Sequence, residues 1–171
     1  MKLDLHTHCS EATSRYTPNV DIVGEIVAAV KASGLDGIGI TEHYNRAYGY
    51  KVKEIVDQHF NGEILVIPGQ EIDKGSLHVV VLYLSDDVVF RFIGHPGYPP
   101  VADLASGIDQ SIHGLELRNP LHNDEMDEGM IRRLAEEHHL LLLSNSDAHF
   151  LSDIGKYYTE IEVEELCARA R

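Results

Sequence analysis

The sequence predicts an α/β fold with a mostly parallel sheet curling into a small barrel. Three observations carry this. Apolar runs alternate with amphipathic stretches from end to end, the signature of strands alternating with helices. Chemistry-bearing residues cluster where the predicted strands end: His6 and His8, Glu42 and His43, Glu71, His95, Arg118 and Asn119, Asp147 and His149. Sites at the carboxyl ends of strands are the rule for α/β barrels. A barrel brings many such ends to one point, whereas an open sheet gathers only those at a switch point. At 171 residues the barrel must be small, irregular or incomplete.

Residues 3–8 read as the first strand. Asn19 caps a helix running to about Ser33, with Ile22, Val23, Ile26, Val27 and Val30 on one face and Gly34 as its stop. A strand over 36–41, a helix over 51–60 and a strand over 64–68 leading into Gly69-Gln70-Glu71 come next. Residues 77–84 and 88–94 form two further strands, the second ending at His95-Pro96-Gly97. A short helix is expected over 100–106 and a strand over 113–117. A helix over 124–139 starts from acidic residues and feeds a buried strand over 140–144. A strand over 159–163 and a helix over 164–171 close the chain. With no internal repeat, low-complexity segment or linker, residues 1–171 read as one domain.

Composition narrows the function. The chain is 43% hydrophobic and 25% charged, ordinary for one globular domain able to bury its core without staples. Its 28 acidic against 14 basic residues give a net charge of −14. Without a Lys/Arg cluster, a long nucleic-acid partner is disfavoured. No apolar run reaches the ~18 residues of a membrane span and Met1-Lys2-Leu3-Asp4 is no signal peptide, so a cytoplasmic protein that does not engage membranes is expected. Cys9 and Cys167 stand at opposite ends outside any CxxC pattern, which suits a reducing compartment. Cys9 reads as a small filler beside His8, a thiolate ligand being the alternative. Oligomeric state is not legible.

Two segments read as halves of one metal site: Asp4-Leu5-His6-Thr7-His8 and Ser146-Asp147-Ala148-His149. On extended chain, residues i and i+2 point the same way, so each pair can grip one region of space. Imidazole mixed with carboxylate is a donor set that zinc, manganese and iron accept. Taken singly, His43, Glu71, His78 and His95 could each be a capping, loop or core residue. All of them standing at the same end of successive strands is hard to reconcile with that.

In order along the chain, Asp4-Leu5-His6-Thr7-His8, Ile40-Thr41-Glu42-His43, Gly69-Gln70-Glu71, His95-Pro96-Gly97 and Ser146-Asp147-Ala148-His149 resemble the signature motifs of the polymerase-and-histidinol-phosphatase (PHP) family. The resemblance implies a distorted seven-stranded (β/α) barrel holding two or three divalent metals (zinc, manganese or iron) and cleaving phosphate esters. It implies one metal on His6, His8, Glu71 and Asp147, with Glu71 bridging to a second on His78 and His95, and a third on His43 and His149. Two departures stand out. Glu42 replaces an Asp in the second motif, and the loop after His8 is short, with Glu11 as its only strong ligand type for the third metal.

The expected chemistry follows. Metals ~3.5–4 Å apart acidify a bridging water and clamp the phosphate, so a hydroxide between the first two metals, which Glu71 and Asp147 would hold, would attack phosphorus in line and displace the alcohol. The third metal, or Arg118, would stabilise the leaving side. Arg118, Asn119 and His122 are expected to bind a small-molecule phosphate ester, since Arg offers a two-pronged donor. Asp4 could orient a ligand imidazole. Neither Gly-x-Ser-x-Gly nor a P-loop appears. A phosphodiesterase or exonuclease acting on nucleotides or short oligonucleotides, and a metal-binding regulatory module without turnover, are the competing readings.

Overall fold

A computed structural model describes residues 1–100 and 103–170. Eight strands line up in the order β7-β6-β5-β4-β3-β2-β1-β8. They are β1 Lys2–Asp4, β2 Gly37–Ile40, β3 Leu65–Lys74, β4 Leu77–Tyr83, β5 Val89–Ile93, β6 Gly114–Arg118, β7 Leu141–Ser144 and β8 Thr159–Glu160. The two ends of the sheet nearly meet, giving an almost closed barrel. Where β1 and β7 exit, Asp147 N donates to His6 O and His8 N to Ala148 O, both at 2.9 Å, around a parallel bridge from Thr7 to Ala148. The short β8 runs antiparallel on β1 and reaches β7 through Thr159 Oγ1, which accepts from Ser144 N at 2.9 Å.

β1–β2–β3 and β5–β6–β7 pair in parallel, but β3–β4–β5 is an antiparallel meander. The sheet is therefore less parallel than expected. The reason is readable afterwards: no helical pattern separates the runs around Ile67, Val80 and Phe92, and strands joined by short turns pair antiparallel. Gly75 turns β3 into β4 at φ 64, a conformation open to glycine without strain.

The helices are α1 Cys9–Ala12, α2 Val20–Ala32, α3 Arg46–His59, α4 Glu128–His138 and α5 Val163–Arg169. α2 matches its pattern: the Asn19 side chain accepts from Ile22 N, and the five apolar residues named above are buried. α3 begins five residues early, running through Gly49. A Cβ there would lie 3.1 Å from Ile40 O and from Pro68 Cα, so glycine lets α3 press onto β2 and β3 rather than breaking it. α4 starts later than expected because Asp127 caps it by accepting from Met130 N. The segment after His8 forms α1 instead of a loop. In place of the expected helix over 100–106 a 3-10 turn spans Ala105–Gly107; Val101 and Ala102 lie outside the described residues.

Strand alternation divides the core. From β4, Val79 and Val81 pack with α4 residues Ile131 and Leu134. Val80 and Leu82 face the barrel interior with Leu3, Leu5, Phe90 and Phe92, where Leu166 of α5 also packs. α2 and α3 cover β2 and β3 through a third cluster that includes Cys9. Among the described residues no helix is long and apolar enough to cross a membrane.

Candidate metal centre

The strand ends converge on Glu71, a buried carboxylate in β3. Its Oε2 lies 3.6 Å from His6 Nε2, 3.4 Å from His8 Nε2 and 3.2 Å from His43 Nδ1. Its Oε1 lies 3.1 Å from His78 Nδ1 and 3.2 Å from His95 Nε2. Across from it Asp147 Oδ1 lies 3.1 Å from His8 Nε2 and 3.5 Å from His6 Nε2. Farther out, Glu11 reaches His43 Nε2 at 3.9 Å and His149 Nε2 at 3.8 Å.

Among the described residues four donor groups are compact enough for one ion each: His6–His8–Glu71, Glu71–His78–His95, His6–His95–Asp147 and His8–Glu11–His43–His149. All nine residues expected to ligate metal are thus brought together, Glu11 included. Cys9 is not among them; its buried thiol packs in the core near Thr7 Oγ1, and burial pushes its pKa up.

The buried polar atoms fit metal ions. His6 Nε2, His8 Nε2, His78 Nδ1 and Asp147 Oδ1 are buried with no hydrogen-bond partner among the described residues, an arrangement too costly to leave uncompensated. Three imidazoles are oriented from behind. Carboxylates and carbonyls only accept, so His6 Nδ1 donates to Glu116 Oε1 (3.3 Å), His95 Nδ1 to Tyr98 O (2.8 Å) and His149 Nδ1 to Asp147 O (2.8 Å). Each leaves an Nε2 lone pair turned to the centre, the usual device for presenting histidine to a metal.

The electrostatics agree. Burial opposes charge on His6, but Asp147, Glu71 and Glu116 overcome it and hold its pKa well above the usual histidine range. His8, likewise buried, is raised to about 9 by Asp147 and Glu71. Glu71 and Asp147 resist burial because the imidazoles, His6 foremost, hold both well below the usual carboxylate range. His43 is lowered by burial and by His8.

Two ligand-type residues sit in left-handed backbone, His95 at φ 26 and Asp147 at φ 51. The reach of Asp147 and His149 therefore comes from a turn, not from the extended chain expected. Non-glycine residues there store roughly 1–3 kcal/mol each and persist when their surroundings over-determine them. Here His95 N donates to Glu116 Oε2 at 2.7 Å and Asp147 N to His6 O at 2.9 Å.

Glu116 escaped the sequence reading. Fully buried in β6, it accepts from His6 Nδ1 and from Asn145 Nδ2 (2.8 Å) on one oxygen. On the other it accepts from His95 N and Asn119 Nδ2 (3.0 Å). Its only sequence signal is an acidic residue inside the apolar run Gly114-Leu115-Glu116-Leu117.

Several expectations are corrected. Asn119 does not face substrate: its Nδ2 is shared between Glu116 and Asp147 and its Oδ1 accepts from Leu121 N, so it positions Asp147. Arg118 points away, half exposed and 3.4 Å from Glu128 Oε2. A bulge between Glu116 and Arg118 breaks the alternation that would have put both on one face. Asp4 touches no imidazole; it accepts from Ser146 N and Gly155 N and so anchors the loop carrying Asp147. Glu42 accepts from both the backbone N–H and the hydroxyl of Ser10 and so holds α1, which carries Glu11. His122 does line the cleft, 3.9 Å from Asp147 Oδ2. The cleft measures about 320 Å³, and among the described residues neither lysine nor arginine lines it.

Comparison with known proteins bears on this arrangement. The PHP-associated family model matches residues 126–171. No curated protein matches the sequence. The fold is similar to PsfC from Pseudomonas syringae (TM-score 0.65, 17% identity, 90% of this chain and 78% of that one). It is also similar to a Bifidobacterium adolescentis protein named as a candidate metal-dependent phosphoesterase (0.71, 14%, 99% and 96%). A third is a two-domain Bacteroides vulgatus protein containing a predicted PHP-like metal-dependent phosphoesterase (0.61, 18%), of which this chain spans about half (52%) while aligning over 88% of its own length. At such identities the structural likeness is one of fold. The chain thus shares its fold over nearly its whole length with proteins named as PHP-like or metal-dependent phosphoesterases, and the PHP-associated family model matches its C-terminal residues 126–171.

Proposed function

We propose that the chain is a metal-dependent phosphoesterase that hydrolyses small phosphomonoesters. The observation that carries the reading is Glu71, buried with both oxygens facing imidazoles that belong to different donor groups. His6, His8, Glu71 and Asp147 would hold one metal. Glu71 would share it with a second on His78 and His95, and His43, His149 and Glu11 would hold a third. When bound, such metals supply an acidified water and charge relief on the phosphoryl oxygens. The protein's own part is orientation. Glu116 and the carbonyls of Tyr98 and Asp147 fix the rings, and Asn119 holds Asp147. His122 at the cleft wall can donate to a phosphate or to the leaving oxygen.

Among the described residues no lysine or arginine lines the cleft to bind phosphate, so the dianion would depend on the metals. The acidic chain and the cation-poor cleft favour a small substrate over a nucleic-acid strand. The test is steady-state hydrolysis of p-nitrophenyl phosphate and bis-p-nitrophenyl phosphate after reconstitution with manganese, zinc or iron. Monoester turnover that chelation abolishes is expected. Turnover of the diester alone would replace the reading with a phosphodiesterase, and turnover of neither would leave a metal-binding module.

A further inference from the structure

We propose that the substrate's alcohol part is a flat, unsaturated ring without further negative charge, seated against Tyr98 at the edge of the metal centre. The proposal deepens the phosphoesterase reading and rests on it. Tyr98 stacks on His122, ring centroids 4.1 Å apart and planes inclined by 17°. His122 in turn packs on His95 at 4.6 Å, and the Tyr98 ring lies 6.0 Å from that of His95. An aromatic wall thus begins at a proposed ligand and runs outward along the cleft. One side of the Tyr98 ring is taken by His122, yet 43% of the residue stays exposed, so surface remains open to an incoming group. Leu121, half exposed, lines the same cleft.

Large apolar side chains left in water beside a site mark what the site receives. This wall is also rigid. Tyr98 N donates to His95 O at 3.0 Å and His95 Nδ1 to Tyr98 O at 2.8 Å, so the ring is placed before binding and little ordering entropy is lost. Two more exposed rings, Tyr44 and Phe150, directly follow His43 and His149 of the centre. A leaving group bearing a second phosphate or carboxylate would meet no lysine or arginine among the described residues that line the cleft, whereas a flat ring gains stacking contact with Tyr98 and apolar contact with Leu121.

Phenylphosphonate and methylphosphonate share the metal-binding head and resist hydrolysis, so their affinities read the wall without turnover. Calorimetric titration of the zinc-loaded protein should show phenylphosphonate binding ~3–10-fold tighter. Tyr98→Ala should bring the ratio of the two affinities to within about twofold. Tyr98→Phe should keep it, because a ring and not a hydroxyl does the work; that variant also separates stacking from a folding defect. Among esters hydrolysed, aryl phosphates should exceed glycerol phosphate in kcat/KM by a similar factor.

Equal affinities in the native protein, or a ratio unmoved in Tyr98→Ala, would overturn the ring proposal while p-nitrophenyl phosphate turnover left the phosphoesterase reading standing. Binding of neither phosphonate would overturn both.

Discussion

Replacing Glu116 by glutamine keeps shape and removes only acceptor capacity and charge. Four donors converge on this carboxylate, two on each oxygen: His6 Nδ1 and Asn145 Nδ2 on Oε1, His95 N and Asn119 Nδ2 on Oε2. A glutamine offers one oxygen and one NH2, so either orientation sets two donors against a third. If the NH2 faces His95 N and Asn119, the left-handed turn at His95 loses its tether and Asn119 its anchor. If it faces His6, the imidazole can accept only by moving its proton from Nδ1 to Nε2. That is the nitrogen aimed at Glu71 and Asp147, and a protonated Nε2 cannot bind metal. Two hydrogen bonds to a charged group are lost at ~1.5–3 kcal/mol each, partly offset by the amide's new bonds. The metal-free variant should therefore be destabilised by about 2–4 kcal/mol. At roughly 2–4 °C per kcal/mol for a domain of this size, the melting temperature should fall by ~4–16 °C. Metal affinity should fall about 10–100-fold, read by competition with a chromogenic chelator. A variant that melts lower yet holds metal with native affinity would show Glu116 to be structural only. One unchanged in both would refute the reasoning.

Protein purified without chelator should carry about two to three transition metals per chain by elemental analysis; less than one after reconstitution would refute the centre as drawn. Graded chelation should remove one metal first, and Glu11→Ala should mimic that state, because its donor group is the most exposed of the four; full metal content in Glu11→Ala would exclude Glu11 as a ligand. Glu71→Gln should abolish turnover, whereas Glu42→Gln, which loosens only the hold on Ser10, should cost ~10–100-fold; equal losses would misplace the bridge. Metal binding should release protons at neutral pH, because His8 with a pKa near 9 is charged in the metal-free protein and must become neutral to ligate. Apparent affinity should then rise with pH up to about 9, and a titration in weak buffer that releases no protons would contradict this.

Most ligand-type residues were legible because they sit beside a strand-end signal: two HxH-like pairs, a His-Pro-Gly, a Gly-Gln-Glu. What orients them was not. Glu116 bonds residues as distant as His6, 110 positions away, and Asn145 accepts from Leu5 N across 140 positions. Such partners declare themselves only once β1, β6 and β7 lie side by side. Arg118 and Asn119 were misjudged for a local reason, since one bulge in β6 is invisible to a period-two pattern and turns Arg118 outward. The meander of β3, β4 and β5 departs from the mostly parallel sheet that strand–helix alternation over the rest of the chain suggests. His78 stands at the start of β4 as expected, and the antiparallel pairing sets it opposite Asp73, two residues from Glu71.

The same geometry accounts for a cleft lined, among the described residues, by neither lysine nor arginine. Glu71, Asp147, Glu116 and Glu11 bring negative charge into a space that, metal-free, protons on His6 and His8 must balance. A lysine or arginine there would pair with Glu71 or Asp147 and compete with metal for the same oxygens. In the proposed phosphoesterase, keeping fixed cations out would leave the carboxylates to the metals and make attraction of a phosphate dianion conditional on metal loading. The residues that remain free to recognise the rest of a substrate are then the uncharged ones, Tyr98, Leu121 and His122, whose contacts do not perturb the charge balance on which the centre depends.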